Sequence, residues 1–173
     1  ITEAVRGEMP AYLADLEARP GVPLSDGGAR YRSALRGDCH LHSHWSDGSA
    51  PIEVMARTAQ DLGHEYMVLT DHSPRLTVAN GLSVDRLTRQ LGVVDAINEH
   101  LANSGAGRGF TLLKGIEVDI LDDGALDQTD EMLARLDVRV ASVHSKLRMD
   151  AAPMTRRMIG AIENPRMNVL GHC

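Results

Sequence analysis

Asp38-Cys39-His40-Leu41-His42-Ser43 is the first of five strand candidates in this chain of 173 residues. Side chains at positions i and i+2 of a strand project from the same face, so His40 and His42 would present two imidazoles side by side. A pair of this kind alone is weak support for a metal site, because exposed or core histidines produce the same pattern. The later strand candidates therefore decide the interpretation.

Short apolar segments alternate with amphipathic ones from Gly37 onward. The strand candidates are 38–43, 66–70, 111–116, 138–143 and 167–170, and the helix candidates are 49–63, 83–102, 129–136 and 154–162. In the first helix candidate the apolar positions, Leu62 among them, fall on one face. This alternation predicts βα units and an α/β fold with a parallel sheet.

Candidate metal ligands stand at the end of every strand candidate. They are His40 and His42, with Asp47 in the loop that follows them, and then His72, Glu117, His144 and His172. The carboxyl ends of the strands converge on one rim in a βα barrel. The repeated placement predicts a metal site at that rim. It also favours a barrel-type sheet over an open doubly wound one, although five strands are too few to close a barrel.

The donor types restrict the chemistry. Imidazoles mixed with carboxylates suit borderline ions, so the sequence predicts Zn, Mn or Fe rather than Ca or Mg alone. No Ser or Cys nucleophile with an adjacent base and no Walker-type phosphate loop is evident, so metal ions are expected to carry the chemistry. The formal net charge of −6 argues against a broadly basic DNA-binding surface.

Residues 1–36 differ in character from the remainder of the chain. A helical piece is predicted at 10–18, and the breaker-rich residues 19–28 are predicted to form a loop or linker. The chain opens on Ile1 and stops directly after an apolar segment. We therefore expect 1–36 to be the end of an upstream module and 37–173 to be a truncated metal-binding domain.

Cysteine usage and hydropathy predict a cytoplasmic protein. Cys39 and Cys173 show neither a disulfide spacing nor a CxxC pattern, and no apolar run approaches the roughly 20 residues of a membrane span. Cys39 is out of phase with His40 and His42, so it is expected to pack against the helix layer. Cys173 is expected to be a buried thiol, and a soft extra metal ligand is the alternative.

Four motifs resemble those of the PHP (polymerase and histidinol phosphatase) family. They are His40-Leu41-His42-Ser43-His44-Trp45-Ser46-Asp47-Gly48, Leu69-Thr70-Asp71-His72-Ser73, Gly115-Ile116-Glu117-Val118-Asp119-Ile120 and Ser142-Val143-His144-Ser145. The resemblance covers residues 37–173. The stretches 76–82 and 119–127 look most like the PHP domains of bacterial family X DNA polymerases and their stand-alone relatives.

The resemblance implies a distorted (βα)7 TIM-like barrel with three metal ions, here incomplete at its C-terminal end. The implied ligand groups are His40 and His42 with Glu117 bridging, His144 and His172, and Asp47 and His72. The family pattern also has an Asp-x-His pair, which would lie beyond Cys173. We therefore expect the site of this fragment to be incomplete and its activity alone to be impaired.

The activity implied is metal-dependent hydrolysis of phosphate esters. Nucleic-acid 3′ ends are one substrate, processed as a 3′-5′ exonuclease or 3′-phosphatase in DNA repair, with DNA reached through a flanking module. A histidinol-phosphate-type phosphatase and a non-catalytic metal-binding module of a DNA polymerase are open alternatives. An amidohydrolase-type enzyme also begins with an HxH strand, but the elements Ser46-Asp47-Gly48 and Thr70-Asp71-His72 fit it poorly.

Further polar residues at the rim have two interpretations each. Asp71 is expected either to orient a ligand imidazole or to serve a turn, and Asp119 either to face the rim or to be solvated. Arg75 and Lys146 follow ligand-bearing strands, where they either attract phosphate or are solvated surface charges. His44 is a candidate substrate contact.

Overall fold

The computed structural model describes residues 26–104 and 109–172. Its elements, in chain order, are α1 (Asp26–Ala34), β1 (Gly37–Leu41), α2 (Ile52–Asp61), β2 (Tyr66–Leu69), a 3-10 turn (Thr77–Ala79), α3 (Val84–Ser104), β3 (Thr111–Asp119), α4 (Asp130–Leu133), β4 (Val138–Ser142), α5 (Ala151–Ile162) and β5 (Val169–Leu170). The chain divides into two units between Leu35 and Arg36, and the five strands belong to the second. The helix predicted at 10–18 and Cys173 lie outside the described residues.

The breaker-rich residues before the first strand are not entirely loop. The prediction of a loop or linker at 19–28 is wrong for residues 26–28, where α1 begins. Gly27 and Gly28 occupy the first turn of this helix. Glycine weakens a helix interior because of the conformational entropy that it loses on folding, and not through its hydrogen bonding, so two glycines in a first turn are compatible with the helix.

The five described strands are all parallel and lie in the order β1-β2-β3-β4-β5. Each βα connection therefore steps in the same direction, as in the wall of a barrel, whereas a doubly wound sheet reverses its strand order. The predicted α/β fold with a parallel sheet is confirmed. The full (βα)7 barrel stays a prediction.

β3 is shared between two neighbouring strands. Residues 111–114 pair with β2 and residues 115–119 pair with β4. Gly115 stands at the change of partner, where a Cβ would lie 2.6 Å from Val68 Cγ1 and 2.7 Å from the Leu69 carbonyl oxygen. Only glycine permits this close approach of β2. The predicted end of the strand at Ile116 is wrong, because pairing with β4 extends β3 to Asp119.

β1 is shorter than the predicted strand 38–43 and ends at Leu41, so His42 begins the following loop. The register with β2 shifts between Asp38 and Leu41. At this shift the Leu41 N–H donates to Thr70 Oγ1 at 2.9 Å, and the Thr70 N–H donates to the Leu41 carbonyl at 2.8 Å. A side-chain hydroxyl thus replaces a backbone acceptor where the chain leaves the strand. The predicted ends of β2, β4 and β5 differ from the structure by one or two residues.

The helices also depart from the predicted ranges for local reasons. α5 begins at Ala151 rather than at residue 154, because Pro153 lies in the first turn, where its missing N–H costs little. α4 has only four residues, and the chain then turns so that the Asp137 N–H bonds the Lys114 carbonyl of β3. Leu62 is 55% exposed, against the prediction, because it caps the C-terminus of α2 rather than continuing its buried face.

The helices cover the sheet with two apolar clusters. The first includes Ile52, Ala56, Met67, Leu69, Val94 and Leu112, and the second includes Leu87, Leu91, Ile116, Val118, Met132 and Ala161. Trp45 packs against both clusters and so anchors the loop after β1. Cys39 is exposed, contrary to the prediction, because β1 lies at the edge of the described sheet. None of the helices in the described ranges is long and apolar enough to cross a membrane.

Candidate metal centre

The parallel strands bring the seven predicted ligands to one edge of the sheet. His40 lies in β1, and His42 and Asp47 lie in the loop that follows it. His72 follows β2 and forms an isolated bridge with Glu117, which lies inside β3. His144 and His172 each lie two residues beyond the end of β4 and β5. Five imidazoles surround the carboxylate of Glu117. The seventh side chain, that of Asp47, lies against two of these imidazoles.

Glu117 is the centre of the cluster and is 1% exposed. Both of its oxygens face imidazole nitrogens. Oε2 lies 3.2 Å from His40 Nε2, 3.3 Å from His42 Nε2 and 3.2 Å from His72 Nδ1, and Oε1 lies 3.2 Å from His144 Nε2 and 2.9 Å from His172 Nε2. One buried carboxylate is therefore shared by five histidines.

Asp47 faces the other nitrogens of two of these histidines. Its Oδ1 lies 3.4 Å from His42 Nδ1, and its Oδ2 lies 3.5 Å from His72 Nε2. The Asp47 side chain is 47% exposed, whereas that of His72 is 7% exposed. Asp47 therefore closes the solvent side of the cluster, opposite the buried Glu117.

The donor set fits divalent cations. In the described part of the chain, buried polar atoms without a hydrogen-bond partner include four at this cluster, namely His42 Nδ1, His72 Nδ1, His144 Nε2 and Glu117 Oε1. Buried polar atoms are ordinarily paired, and an ion is one explanation where they are not. Two ligand atoms about 2.1 Å from one tetrahedral ion are about 3.4 Å apart, which is close to most of the separations observed here.

Three triads of these residues have ligand atoms within 4.8 Å of one another in residues 26–104 and 109–172. They are His40, His42 and Glu117; His42, Asp47 and His72; and His72, Glu117 and His144. His42 and His72 each belong to two triads. A neutral imidazole has one free lone pair, so each of these rings can serve only one ion at a time.

The charges at the cluster shift three pKa values. Burial opposes ionisation of Glu117, but the hydrogen bond to His42 and the charges of the neighbouring histidines outweigh it and hold the pKa well below its usual value. Burial also opposes protonation of His42, yet Glu117 and Asp47 raise its pKa. Burial and the neighbouring histidines lower the pKa of His72. Glu117 is thus an anion at neutral pH, the form that binds metal.

Asp119 orients one of the imidazoles. Its Oδ1 lies 2.5 Å from His144 Nδ1, and Asp119 is 2% exposed. This contact directs His144 Nε2 toward Glu117. A carboxylate behind a ligand imidazole fixes the tautomer and strengthens the ring as a donor. Of the two interpretations of Asp119 from the sequence, the one in which it faces the rim agrees with the structure, because Asp119 is buried and contacts His144 of the cluster.

Asp71 binds the loop after β1 rather than an imidazole. Its oxygens accept hydrogen bonds from Ser43, Ser46 and Gln90. Sequence reasoning missed Gln90, although a signal was present: Gln90 is a polar residue between Leu87 and Leu91 on the apolar face of α3. Its carboxamide is buried where the helix pattern calls for an apolar side chain.

The predicted phosphate-attracting residues lie in exposed loops. Lys146 forms an ion pair with Asp122, and the backbone N–H of Arg75 donates to Asp127 Oδ2 at 2.7 Å. The hydrogen bond from Lys146 lowers the pKa of Asp122. His44 is exposed, and its Nδ1 lies 3.2 Å from the Ala50 carbonyl oxygen. Their contact with a substrate stays a prediction.

Comparison with known proteins identifies relatives for most of the chain. The sequence profile of the family described as "PHP domain" matches residues 38–167. The chain is 41% identical over 138 residues to "DNA polymerase/3′-5′ exonuclease PolX" of Bacillus subtilis (strain 168), covering 80% of this chain and 23% of that protein.

Two proteins named "probable phosphatase" are also similar. That of Thermoanaerobacter sp. (strain X514) is 32% identical over 141 residues, and that of Clostridium botulinum (strain Hall) is 38% identical over 140 residues. Each match covers 78% of this chain and 52% of the other protein. The chain thus spans about half the length of these phosphatases and less of the polymerase. On the profile match over residues 38–167, the chain belongs to the PHP domain family.

Proposed function

We propose that this PHP domain is a metal-dependent phosphoesterase, a hydrolase whose metal ligands are His40, His42, Asp47, His72, Glu117, His144 and His172. One observation carries the proposal: the buried Glu117 carboxylate is shared by five histidine nitrogens within 3.3 Å. Burying such a group without compensation costs several kcal/mol, so the arrangement is explained best by cations that bind it.

Three ions account for the seven ligands when each imidazole uses one lone pair. His40 and His42 would hold the first ion together with Glu117, His144 and His172 would hold the second together with Glu117, and His72 and Asp47 would hold the third. The two oxygens of Glu117 face separate groups of rings, which supports its bridging role. The mixture of imidazole and carboxylate favours Zn, Mn or Fe.

The bound ions would supply an activated water and stabilise the charge on the phosphate oxygens. The residues of the chain hold and orient that assembly. Asp119 directs His144, and Glu117 stays ionised at the buried base of the site. The Asp47 side chain is 47% exposed and lies on the solvent side of the site, from which a phosphate ester can approach.

The substrate we propose is the 3′ end of a nucleic acid, as a phosphodiester or a 3′-phosphate. The polymerase relative, whose name includes a 3′-5′ exonuclease, is 41% identical, above the 32% and 38% of the phosphatase relatives described here. The net charge of −6 means that a flanking module would provide most of the affinity for DNA. A small phosphomonoester is the alternative substrate that the phosphatase relatives favour.

Metal content and hydrolysis of the full-length protein test this proposal. The protein is loaded with Mn or Zn, its metal is quantified by elemental analysis, and it is assayed on a 3′-phosphorylated oligonucleotide, an unmodified oligonucleotide and p-nitrophenyl phosphate. Glu117→Gln keeps the shape of the side chain but removes the shared anion, so metal content and hydrolysis are expected to fall at least about 100-fold. Glu99→Gln, at an exposed position of α3, is the matched control and should change neither.

Absence of metal from the wild-type protein would refute the proposal. Equal hydrolysis by Glu117→Gln and the wild type would refute it as well. Hydrolysis of p-nitrophenyl phosphate without any activity on either oligonucleotide would retain the phosphoesterase and replace the nucleic-acid substrate by a small phosphomonoester.

A further inference from the structure

Asp71 is a buried carboxylate with four hydrogen-bond donors. Ser43 donates twice, from its backbone N–H to Oδ1 at 2.8 Å and from its hydroxyl to Oδ2 at 2.6 Å. The Ser46 hydroxyl donates to Oδ1 at 2.5 Å, and Gln90 Nε2 donates to Oδ2 at 2.6 Å. Both oxygens are therefore doubly satisfied, although Asp71 is only 1% exposed. A network that is complete in this way fixes the geometry of every member.

Three of these donors belong to the loop that carries Asp47. The same loop is closed on itself, because the N–H groups of Ser46 and Gly48 both donate to the Ser43 carbonyl. Ser46 precedes Asp47 directly, and its hydroxyl also lies 3.3 Å from Asp47 Oδ1. The hydrogen bonds from Ser43 and Ser46 to Asp71 therefore fix the position of the Asp47 carboxylate.

The fourth donor comes from a different element. Gln90 lies in the N-terminal half of α3 and is 1% exposed, and its amide is the link between this helix and Asp71. α3 holds the same loop at a second point, where Arg86 donates to the Trp45 carbonyl at 2.5 Å. The helix therefore contacts the residues that precede Asp47 at two points, at Ser43 and Ser46 through Asp71 and at Trp45 directly.

We propose that Gln90 is a positioning residue that, through Asp71, holds the loop 43–48 so that Asp47 faces His42 and His72. This inference rests on the proposed function in so far as Asp47 is a metal ligand. Gln90 itself contacts neither the ligands nor a substrate. Its effect is expected on the ion shared by Asp47 and His72, and not on the ions held through Glu117.

Asn98 provides a matched comparison on the same helix. It is a second amide on the inward side of α3, and it bonds both backbone groups of Leu112 at the start of β3, at 2.8 and 3.0 Å. The side-chain amides of Gln90 and Asn98 both form hydrogen bonds on the inward side of α3. Of the two, Gln90 is the one that is linked to the loop with Asp47. Isosteric replacements, Gln90→Met and Asn98→Leu, therefore separate a positioning role from a general contribution to stability.

Hydrogen exchange of the backbone amides in residues 43–48 of the metal-free full chain is the decisive measurement. Gln90→Met leaves Asp71 with one donor fewer, so exchange of these amides should accelerate about tenfold or more. Asn98→Leu should accelerate exchange at the start of β3 and leave residues 43–48 unchanged. On titration with Mn, Gln90→Met should weaken one class of ion about tenfold and leave the others at wild-type affinity.

Unchanged exchange in residues 43–48 of Gln90→Met would overturn the inference, and so would equal acceleration in both variants. If Gln90→Met does not fold, Ser46→Ala removes a donor from the loop end of the same network and should accelerate exchange of residues 43–48; no acceleration would again overturn it. If the wild-type protein binds no metal, the proposed function fails, whereas the exchange measured without metal still decides whether Gln90 positions the loop.

Discussion

β3 changes its surroundings between Lys114 and Gly115, and its two halves are stabilised differently. Residues 111–114 pair with β2 and bury Leu112 in an apolar cluster, where Asn98 bonds its backbone. Residues 115–119 pair with β4 and bury the carboxylates of Glu117 and Asp119. Apolar burial stabilises both halves, because Ile116 and Val118 of the second half are also fully buried, but only the second half also carries charges that are costly to bury.

The difference separates residues that only pack in the sheet from the carboxylates of the candidate metal centre. Both carboxylates lie against histidine rings. Glu117 contacts His40 and His42 among others, and Asp119 contacts His144 Nδ1. A substitution in the first half should therefore act on the free energy of unfolding and leave metal affinity alone. A substitution of Glu117 or Asp119 in the second half should instead act mainly on metal affinity.

The largest effect is expected in the first half, from Leu112→Ala. Leu112 is 1% exposed and packs in the cluster with Met67, Leu69 and Val94. Removing its side chain leaves a cavity, so the free energy of unfolding should fall by about 3 kcal/mol. Urea denaturation of the metal-free protein measures this loss. The number of ions bound by the folded variant should equal that of the wild type, and a lower number would break the separation between the halves.

A smaller effect, on metal rather than on folding, is expected from Asp119→Asn in the second half. The amide oxygen can still accept from His144, but without its charge the ring becomes a weaker ligand. The affinity for the ion held by His144 and His172 should fall about tenfold. Calorimetric titration with Zn measures it, beside Asp130→Asn at an exposed position as control. Equal affinities in wild type and Asp119→Asn would show that this carboxylate serves packing alone.

Sequence reasoning predicted the parallel sheet, and it selected seven candidate ligands that the structure brings to one edge of that sheet, because both predictions follow from a local rule. Apolar segments of strand length ended in His or Glu, and parallel strands bring such ends together. The same rule placed Glu117 after a strand, whereas it lies inside β3, because pairing with β4 is a property of two distant segments that no local pattern contains.

The network behind the ligands was harder to predict for a physical reason. Asp71 is adjacent to the candidate ligand His72, and Asp119 is two residues from the candidate ligand Glu117. Their partners, Gln90 and His144, are 19 and 25 residues away in the sequence. Hydrogen bonds over such separations depend on how helices and strands pack. The buried position of Gln90 could have been predicted, since a polar residue on an apolar helix face requires a buried partner.

The smallest effect that separates the halves is expected from the one ion pair of Lys114 that the structure describes, at the end of the first half. Lys114 Nζ lies 2.6 Å from Asp95 Oδ1 of α3, but the Asp95 side chain is 63% exposed, so solvent and salt screen the attraction. Asp95→Asn should therefore lower the free energy of unfolding by about 0.5 kcal/mol or less. Urea denaturation at low and high salt measures this, and the difference between variant and wild type should vanish at high salt. A loss as large as that of Leu112→Ala would mean that this ion pair stabilises the first half of β3 as much as apolar burial does.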